Sequence, residues 1–218
     1  YLYGDTFKSM LGTVSTTSQG IPAEEKDYYL DKGYSLNDRV GLSYIEKEYE
    51  EYLHGEKDLY EVVNTYEKKL IKEGSRGKDI VLTIDINLQM EVEKIIVEQM
   101  YRAKSEPNTE YYDHSSVIIQ DPNTGEILAM ASKRIVNGEI RDNINSILMQ
   151  PITPGSVVKG ASILVGYNTG AIHIGERMLD ECVKVSGVRE KCSSVNDLGV
   201  INDITALAKS SNVYQFKR

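Results

Sequence analysis

The sequence predicts an α+β protein with an antiparallel sheet, and three observations support this fold class. Apolar residues recur with a helical period after Asn87, and runs rich in Ile and Val flank that stretch at Asp79–Ile84 and Ser116–Gln120. The turn-forming sequence Asp121–Gly125 separates the second run from a third at Glu126–Ser132. The order strand, helix, strand, strand differs from a series of βαβ units, so we expect an antiparallel sheet.

The first part of the chain is predicted to contain little regular structure before one short helix. Residues 1–40 are rich in Gly, Ser and Thr, which favours turns and short extended pieces. Ser43–Leu53 is amphipathic when drawn as a helix, and Gly55 would end it. Its apolar face consists of Tyr44, Ile45, Tyr49 and Leu53, and its charged face of Glu46, Lys47, Glu50 and Glu51.

A polar segment in the first half of the chain predicts a domain boundary. Asp58–Ile71 alternates and is rich in Tyr and Val, which predicts a strand. Lys72–Lys78, which follows, is polar and glycine-rich, as linkers are. We therefore expect one domain at residues 1–78 and a second at residues 79–218.

The second domain is predicted to open with a strand and a long helix. Asp79–Ile84 has the composition of a buried strand, and Asn87 is suited to cap a helix of about 17 residues. The apolar positions of this helix are Met90, Val92, Ile95, Ile96 and Met100. A polar loop at Ser105–Asp113 then leads into the hairpin.

Composition and charge exclude some classes of function. The 218 residues include 25 Lys and Arg against 33 Asp and Glu, a formal net charge of −8. This acidic balance argues against a nucleic-acid-binding protein, which needs basic residues to neutralise phosphates. The chain contains no apolar run of the roughly 18 residues that a transmembrane helix requires.

The cysteine and histidine residues do not indicate a metal centre. Cys182 and Cys192 are ten residues apart and could form a disulfide across a hairpin or remain two free thiols, and the sequence leaves both open. His54, His114 and His173 do not have the spacing of metal ligands. The sequence therefore predicts neither a metal nor another cofactor.

Pro154–Lys159 is the segment best suited to carry chemistry. Pro154 and Gly155 interrupt the chain, and a helix should begin directly after them. Ser156 would then lie at the start of the helix, with Lys159 one turn later on the same face. A Ser hydroxyl is a weak nucleophile until a base takes its proton, and a Lys with a lowered pKa can act as that base. The same spacing occurs in Ser75–Lys78, so the motif alone is weak evidence.

A second polar motif strengthens the interpretation. Ser210 and Asn212 follow the apolar-periodic stretch Ile204–Ala208 and precede Val213 and Tyr214. A hydroxyl and an amide in this position could relay a proton and bind a substrate amide. The motif therefore offers a proton relay and a substrate clamp to the Ser156 and Lys159 pair.

Together these motifs resemble those of penicillin-binding proteins, the serine D,D-transpeptidases of bacterial cell-wall synthesis. Val81–Asp85 with Leu88 and Gln89 is similar to the opening strand and helix of their transpeptidase domain, and Ser116–Ser132 to its first hairpin. Arg39–Glu46, with Tyr49, Leu53, His54 and Gly55, is similar to the membrane-proximal pedestal of the class B members. The resemblance implies a penicillin-binding transpeptidase fold, related to the serine β-lactamases and incomplete here, preceded by an extended α+β pedestal.

The resemblance also implies roles for individual residues. Ser156 would attack the D-Ala-D-Ala bond of a stem peptide and form an acyl-enzyme, with Lys159 as its base. Ser210 would relay the proton to the leaving amine, and Asn212 would hold the substrate amide. The backbone N–H of Ser156 would supply half of the oxyanion hole. An amine from a neighbouring strand would then resolve the acyl-enzyme, and β-lactams would trap the same serine.

This sequence departs from the family in one respect. The third motif of the family, Lys-Thr/Ser-Gly, is absent, because Asn123–Gly125 and Asn168–Gly170 lack the Lys. In the family, the strand that carries this motif binds the substrate carboxylate and supplies the second N–H of the oxyanion hole. Losing one oxyanion donor costs roughly 3–4 kcal/mol of barrier, so we expect these 218 residues alone to be inactive or nearly so.

The resemblance also predicts the surroundings in which the protein works. It implies peptidoglycan stem peptides and β-lactams as ligands, and cell-wall polymerases or membrane proteins of the division or elongation machinery as partners. It implies the extracytoplasmic face of the bacterial membrane, with an N-terminal anchor helix before Tyr1. The alternative function is a non-catalytic β-lactam sensor or a scaffold of the cell-wall machinery.

Overall fold

The computed structural model describes residues 2–184, 186–193 and 198–217 and divides into two compact units. The first unit runs to Gln150 and the second begins at Pro151. The predicted linker Lys72–Lys78 lies within the first unit, where Ser75 and Glu56 exchange backbone hydrogen bonds of 2.9 and 2.8 Å. The domain boundary after residue 78 stays a prediction about the family domains.

The first unit begins with short helices and a hairpin. The helices are α1 (Lys8–Leu11), α2 (Lys26–Asp31), α3 (Tyr44–Glu48) and α4 (Glu50–Leu53), with a 3₁₀ turn at Ala23–Glu25, and the hairpin consists of β1 (Leu59–Asn64) and β2 (Glu67–Lys72). The strand predicted at Asp58–Ile71 is therefore two antiparallel strands that are exposed along their whole length.

The helix predicted at Ser43–Leu53 is interrupted at Tyr49. The backbone of Tyr49 leaves the helical region, with φ −105° and ψ 17°, and divides the segment into α3 and α4. The sequence placed Glu50 on the charged face of this helix, opposite the apolar face, but its side chain is buried. Its carboxylate accepts hydrogen bonds from the backbone N–H of Gly41 at 2.7 Å and from the hydroxyl of Tyr34 at 3.3 Å. These two donors compensate for burying the charge.

The rest of the first unit is a helix on a three-stranded sheet. Its elements are α5 (Ile86–Lys104), β3 (His114–Gln120), β4 (Ile127–Val136), β5 (Glu139–Asp142) and α6 (Asn145–Leu148). The strands are antiparallel in the order β3-β4-β5, as the α+β prediction requires. The helix packs Val92, Ile96 and Met100 against Ala129 and Ala131 of β4. Met90 and Ile95, which the periodicity placed on this face, are 39% and 45% exposed.

The buried strand predicted at Asp79–Ile84 is not found. Among the described residues this segment pairs with no strand, and the side chain of Val81 is 93% exposed. It is attached to the start of β4 by side-chain and backbone hydrogen bonds. Thr83 Oγ1 donates to the carbonyl of Ile127 at 2.7 Å, and the N–H of Asp85 donates to the carbonyl of Leu128 at 2.9 Å. A β-branched composition therefore did not produce a strand where the backbone lacks a partner along its length.

The residue that caps α5 is Asp85, and the predicted cap at Asn87 is wrong. The Asp85 carboxylate accepts the backbone N–H groups of Asn87 at 2.9 Å and Leu88 at 3.1 Å. These are two of the N–H groups at the helix start that have no partner within the helix. Asp85 therefore takes the role that the sequence assigned to Asn87.

This difference gives a stability prediction. Asp85→Ala should lower the free energy of unfolding by about 1 kcal/mol, because both N–H groups lose their acceptor. Asn87→Ala, on the exposed side of the same turn, is the matched control and should change it by less than about 0.5 kcal/mol. Urea denaturation of the 218-residue chain measures both, and a larger loss in Asn87→Ala than in Asp85→Ala would restore the original assignment.

The second unit is built around one helix. It contains a 3₁₀ turn at Gly155–Val157, α7 (Val158–Thr169), the strand pair β6 (Arg177–Leu179) and β7 (Val200–Asn202), α8 (Asp203–Ala208) and α9 (Asn212–Phe216). Its core consists of Ile163, Ile172, Ile201, Ala206 and Tyr214. Neither unit, within the described residues, contains a helix that is long and apolar enough to span a membrane.

Candidate active site

The segment that carries Ser156 becomes helical directly after Pro154, as the sequence predicts. Its first turn, Gly155–Val157, is a 3₁₀ helix, and α7 continues it from Val158. Gly155 has φ +58°, a left-handed conformation that a glycine adopts without steric cost. The side chain of Ser156 is exposed, so its hydroxyl is accessible to a ligand.

Lys159, in the first turn of α7, is a buried lysine. Its side chain is only 7% exposed, and its Nζ lies 2.6 Å from the carbonyl oxygen of Ser210. The same atom lies 3.0 Å from Ser210 Oγ and 2.6 Å from Asn212 Oδ1. Burial lowers the pKa of Lys159 below its ordinary value, because the charged form loses solvation. Three of the four predicted site residues are therefore in direct contact.

The fourth predicted residue is not in that contact network. No hydrogen bond joins Ser156 Oγ to Lys159 Nζ in the part of the chain that the structure describes, where Nζ is directed at Ser210 and Asn212. Nucleophile and base often approach each other closely only when substrate is bound. The structure thus brings Lys159, Ser210 and Asn212 together and leaves Ser156 one helical turn away.

The number of protons on Lys159 decides what its contacts can do. A charged ammonium has three N–H donors and no lone pair, and the three neighbouring oxygen atoms can accept all of them. A neutral amine has two N–H donors and one lone pair. The two carbonyl-type oxygens, of Ser210 and Asn212, can accept the two N–H groups, and the lone pair can then accept the hydroxyl proton of Ser210. The same geometry therefore suits both protonation states, as a proton-transferring group requires.

The turn that carries Ser210 has an unusual backbone. Ser210 has φ +54°, in the left-handed region that non-glycine residues rarely occupy. It follows α8, and Ser211 caps α9 by accepting the N–H of Tyr214 at 2.9 Å. Val213 and Tyr214 are fully buried, which anchors the turn in the core of the second unit. A strained conformation that surrounding packing maintains is typical of functional sites.

Sequence reasoning did not find the groups behind this turn. Ser211 is fully buried, and its hydroxyl contacts Asp180, a buried carboxylate that also accepts from Ser193. Cys182 and Cys192 form a disulfide, which decides between the two alternatives that the sequence left open. The position of Ser211 between two predicted site residues was the one available signal, because Asp180 and Ser193 belong to no recognisable motif.

The structure gives little support for a metal centre in this unit. Among the described residues, one group of potential ligands, Cys182, Glu190 and Cys192, is close enough to share an ion. Both sulfur atoms are in the disulfide, so neither can bind a metal as a thiolate.

Two family models match this chain. The penicillin-binding protein dimerisation domain matches residues 1–82, and the penicillin binding protein transpeptidase domain matches residues 115–217. The chain belongs to the penicillin-binding protein family. The resemblance to its class B members is confirmed, and so is the predicted α+β transpeptidase fold.

Individual penicillin-binding proteins are similar over most of this chain. Penicillin-binding protein 2A of Bacillus subtilis is 42% identical, over 100% of this chain and 32% of that protein. The solved structure of penicillin-binding protein 2B from Streptococcus pneumoniae (strain 5204) superposes with a TM-score of 0.86 at 32% identity, over 96% of this chain and 36% of that one. The peptidoglycan D,D-transpeptidase MrdA of Acinetobacter baumannii is 26% identical, over 80% of this chain and 26% of that protein. The chain thus spans between 26% and 36% of the length of these relatives.

Proposed function

We propose that the full-length protein is a peptidoglycan D,D-transpeptidase that uses Ser156 as its nucleophile. The contact of the buried Lys159 with both Ser210 and Asn212, in a chain of this family, is the observation that carries the proposal. The substrate would be a stem peptide ending in D-Ala-D-Ala. Ser156 Oγ bonds to the carbonyl carbon between the two D-Ala residues, and the terminal D-Ala leaves as the free amine.

Lys159 is the base of this reaction. As a neutral amine it accepts the proton of Ser156 Oγ while the carbon–oxygen bond forms. Burial favours the neutral form of Lys159, since it lowers the pKa of the ammonium. Ser156 precedes Lys159 by one turn of helix, and a change of side-chain rotamer on substrate binding is the step that we propose brings the two groups together.

Ser210 and Asn212 serve the leaving group and the substrate. Ser210 Oγ lies 3.0 Å from Lys159 Nζ and passes a proton from it to the departing amine. The amide of Asn212 holds the substrate backbone, and its Oδ1 keeps Lys159 in place at 2.6 Å. The backbone N–H of Ser156, at the start of the helical segment, donates to the oxyanion that forms.

The proposal extends to ligands, partners and location. A β-lactam acylates the same Ser156, because its ring carbonyl takes the place of the D-Ala-D-Ala carbonyl. The stem peptides are extracytoplasmic, so the enzyme works at the outer face of the bacterial membrane beside a cell-wall polymerase and the membrane proteins that organise it. Family membership supports these assignments.

Peptide mapping of the acyl-enzyme tests the function. The full-length protein is incubated with benzylpenicillin, digested and examined by mass spectrometry. We expect one covalent adduct, on the peptide that contains Ser156, and none on Ser162, an exposed serine of α7 whose hydroxyl bonds to the carbonyl of Val158. An unlabelled protein, or an adduct on another residue, would contradict the proposal.

A further inference from the structure

A buried carboxylate lies directly behind the turn that carries Ser210 and Asn212. We propose that Asp180 is a positioning residue for this turn, acting through Ser193 and Ser211, and that the Cys182–Cys192 disulfide keeps Asp180 and Ser193 together. The inference deepens the proposed transpeptidase function and rests on it. None of these groups touches the proposed substrate atoms, so their effect on the reaction is indirect.

Asp180 collects hydrogen bonds from two serines. Its side chain is 3% exposed, and its Oδ1 accepts the hydroxyl of Ser211 at 2.5 Å and that of Ser193 at 2.9 Å. Ser211 itself is fully buried. A carboxylate removed from water is stabilised by such donors, which replace part of the lost solvation. Its Oδ2 has no hydrogen-bond partner among the described residues, so the two hydroxyls on Oδ1 carry this stabilisation. We call Asp180, Ser193 and Ser211 the Asp180 cluster.

The Asp180 cluster also binds the backbone of α9, as the number of hydroxyl protons shows. Each serine hydroxyl has one proton. The Ser193 hydroxyl lies 2.9 Å from Asp180 Oδ1 and 3.1 Å from Ser211 Oγ, and the carboxylate is the stronger acceptor. When both protons go to Asp180, the hydroxyl oxygens can only accept. Ser211 Oγ accepts the N–H of Tyr214 at 2.9 Å, and Ser193 Oγ accepts the N–H of Val213 at 3.4 Å. The negative charge of Asp180 thus orients both hydroxyls so that their lone pairs face the start of α9.

Ser211 connects the Asp180 cluster to the reactive groups. Its neighbours Ser210 and Asn212 both contact Lys159, while Ser211 is directed the opposite way into the core. Ser210 is held at φ +54°, a conformation that persists only where the surroundings impose it. A displacement of Ser211 would therefore shift the three oxygen atoms of Ser210 and Asn212 that surround the amine of Lys159.

The disulfide holds the chain segments that carry Asp180 and Ser193 next to each other. Asp180 is two residues before Cys182, and Ser193 directly follows Cys192. Val183 and Lys191 also pair, with backbone hydrogen bonds of 2.8 and 2.9 Å. The closed loop reaches the turn itself, because the carbonyl of Cys192 accepts Nδ2 of Asn212 at 3.5 Å.

Acylation kinetics of the full-length protein test the inference. Asp180→Asn keeps the size of the side chain and one oxygen that can accept from the serines, but it removes the negative charge and puts an N–H₂ donor at the buried position of Oδ2, which has no hydrogen-bond partner among the described residues. We expect its rate of acylation by fluorescent penicillin to fall about 10- to 100-fold, because small displacements of catalytic groups have effects of this size. The final stoichiometry of labelling at Ser156 should not change. Glu190→Gln, an exposed charge removal in the same loop, is the matched control and should keep the rate of the unaltered protein.

Two variants at Ser193 distinguish a loss of positioning from a loss of folding. Ser193→Ala should slow acylation like Asp180→Asn, whereas Ser193→Thr keeps the hydroxyl and should recover the rate to within about threefold of the unaltered protein. Replacing both Cys182 and Cys192 with Ser should lower the acylation rate by less than Ser193→Ala does and by more than Ser193→Thr does. Thermal unfolding of each variant shows whether it is folded, and if Asp180→Asn is not, the comparison of Ala with Thr at Ser193 decides.

The outcomes separate this inference from the proposed function. Rates for Asp180→Asn and Ser193→Ala within twofold of the unaltered protein would overturn the positioning role while leaving Ser156 labelling intact. Equal losses in Ser193→Ala and Ser193→Thr would also overturn it, because the hydroxyl would not be the operative group. If the unaltered protein is not labelled at Ser156, the transpeptidase proposal itself fails.

Discussion

Replacing Lys159 with Met in the full-length protein should slow acylation by benzylpenicillin about a thousandfold. Met keeps the length of the side chain and removes the amine, so the base is lost while the packing of α7 is largely retained. General base catalysis contributes about 10²- to 10⁴-fold to such reactions. Stopped-flow measurement of acylation, with final labelling at Ser156 counted separately, gives the rate constant.

The pH dependence of the same rate identifies the base. In the unaltered protein the rate should rise with pH until Lys159 is neutral and then become constant. Burial lowers the pKa of Lys159, so the midpoint of this rise should lie below the 10.5 of an ordinary lysine. In Lys159→Met this rising limb should be absent, because the titrating group has been removed.

A neighbouring lysine supplies the control. Lys209→Met removes an exposed ammonium directly before Ser210, and the acylation rate should remain within about twofold. Retention of the full rate and its pH dependence in Lys159→Met would show that another group deprotonates Ser156. The proposed role of Lys159 would then be wrong even if Ser156 is the nucleophile.

Replacing Asp203 with Asn should lower the free energy of unfolding of the second unit by about 2–3 kcal/mol. Asp203 is 1% exposed, and its Oδ2 accepts the hydroxyl of Tyr167 at 2.5 Å and the N–H of Gly175 at 2.7 Å. Its Oδ1 accepts the N–H of Ile204 at 2.8 Å. The amide of Asn would place a donor group opposite one of these backbone donors, which leaves a buried N–H unpaired. Amide hydrogen exchange of α7 and α8 measures the change.

The same contact predicts a dependence on pH. The hydrogen bond from Tyr167, with those from the backbone, lowers the pKa of Asp203, and the same hydrogen bond raises the pKa of Tyr167 to about 12. A carboxyl whose pKa is lowered by folding stabilises the fold above its unfolded pKa of about 3.9. That stabilisation is lost as the pH falls through the lowered pKa. The difference between the unaltered chain and Asp203→Asn should therefore shrink as the pH falls below about 4.

Two further variants frame this result. Tyr167→Phe removes one of the hydrogen bonds and should cost about 1 kcal/mol, and Glu190→Gln, which is exposed, should cost less than about 0.5 kcal/mol. An Asp203→Asn chain as stable as the unaltered one at pH 7 would show that the buried carboxylate contributes nothing to the second unit. A difference that does not change between pH 7 and pH 3 would show that the charge is not its source.

Much of the fold could be predicted because the sequence patterns are local. The period of α5 and the turn at Asp121–Gly125 depend on neighbouring residues, and the structure contains both elements. The interruption at Tyr49 and the burial of Glu50 were not predictable, because the donors to Glu50 come from other segments. Asp79–Ile84 forms no strand for the same reason, since strand pairing depends on a partner segment elsewhere in the chain.

The sequence by itself determined the α+β class, the family and the order of its motifs. It also singled out Ser156, Lys159, Ser210 and Asn212 as the groups able to carry acyl transfer. Only the tertiary structure showed that Lys159 Nζ contacts Ser210 and Asn212, that Cys182 and Cys192 are bonded, and that Asp180 stands behind the turn. Motifs record which chemical groups a site uses. Burial and hydrogen bonding between distant segments, which set the pKa of a lysine or the rotamer of a serine, arise only when the chain has folded.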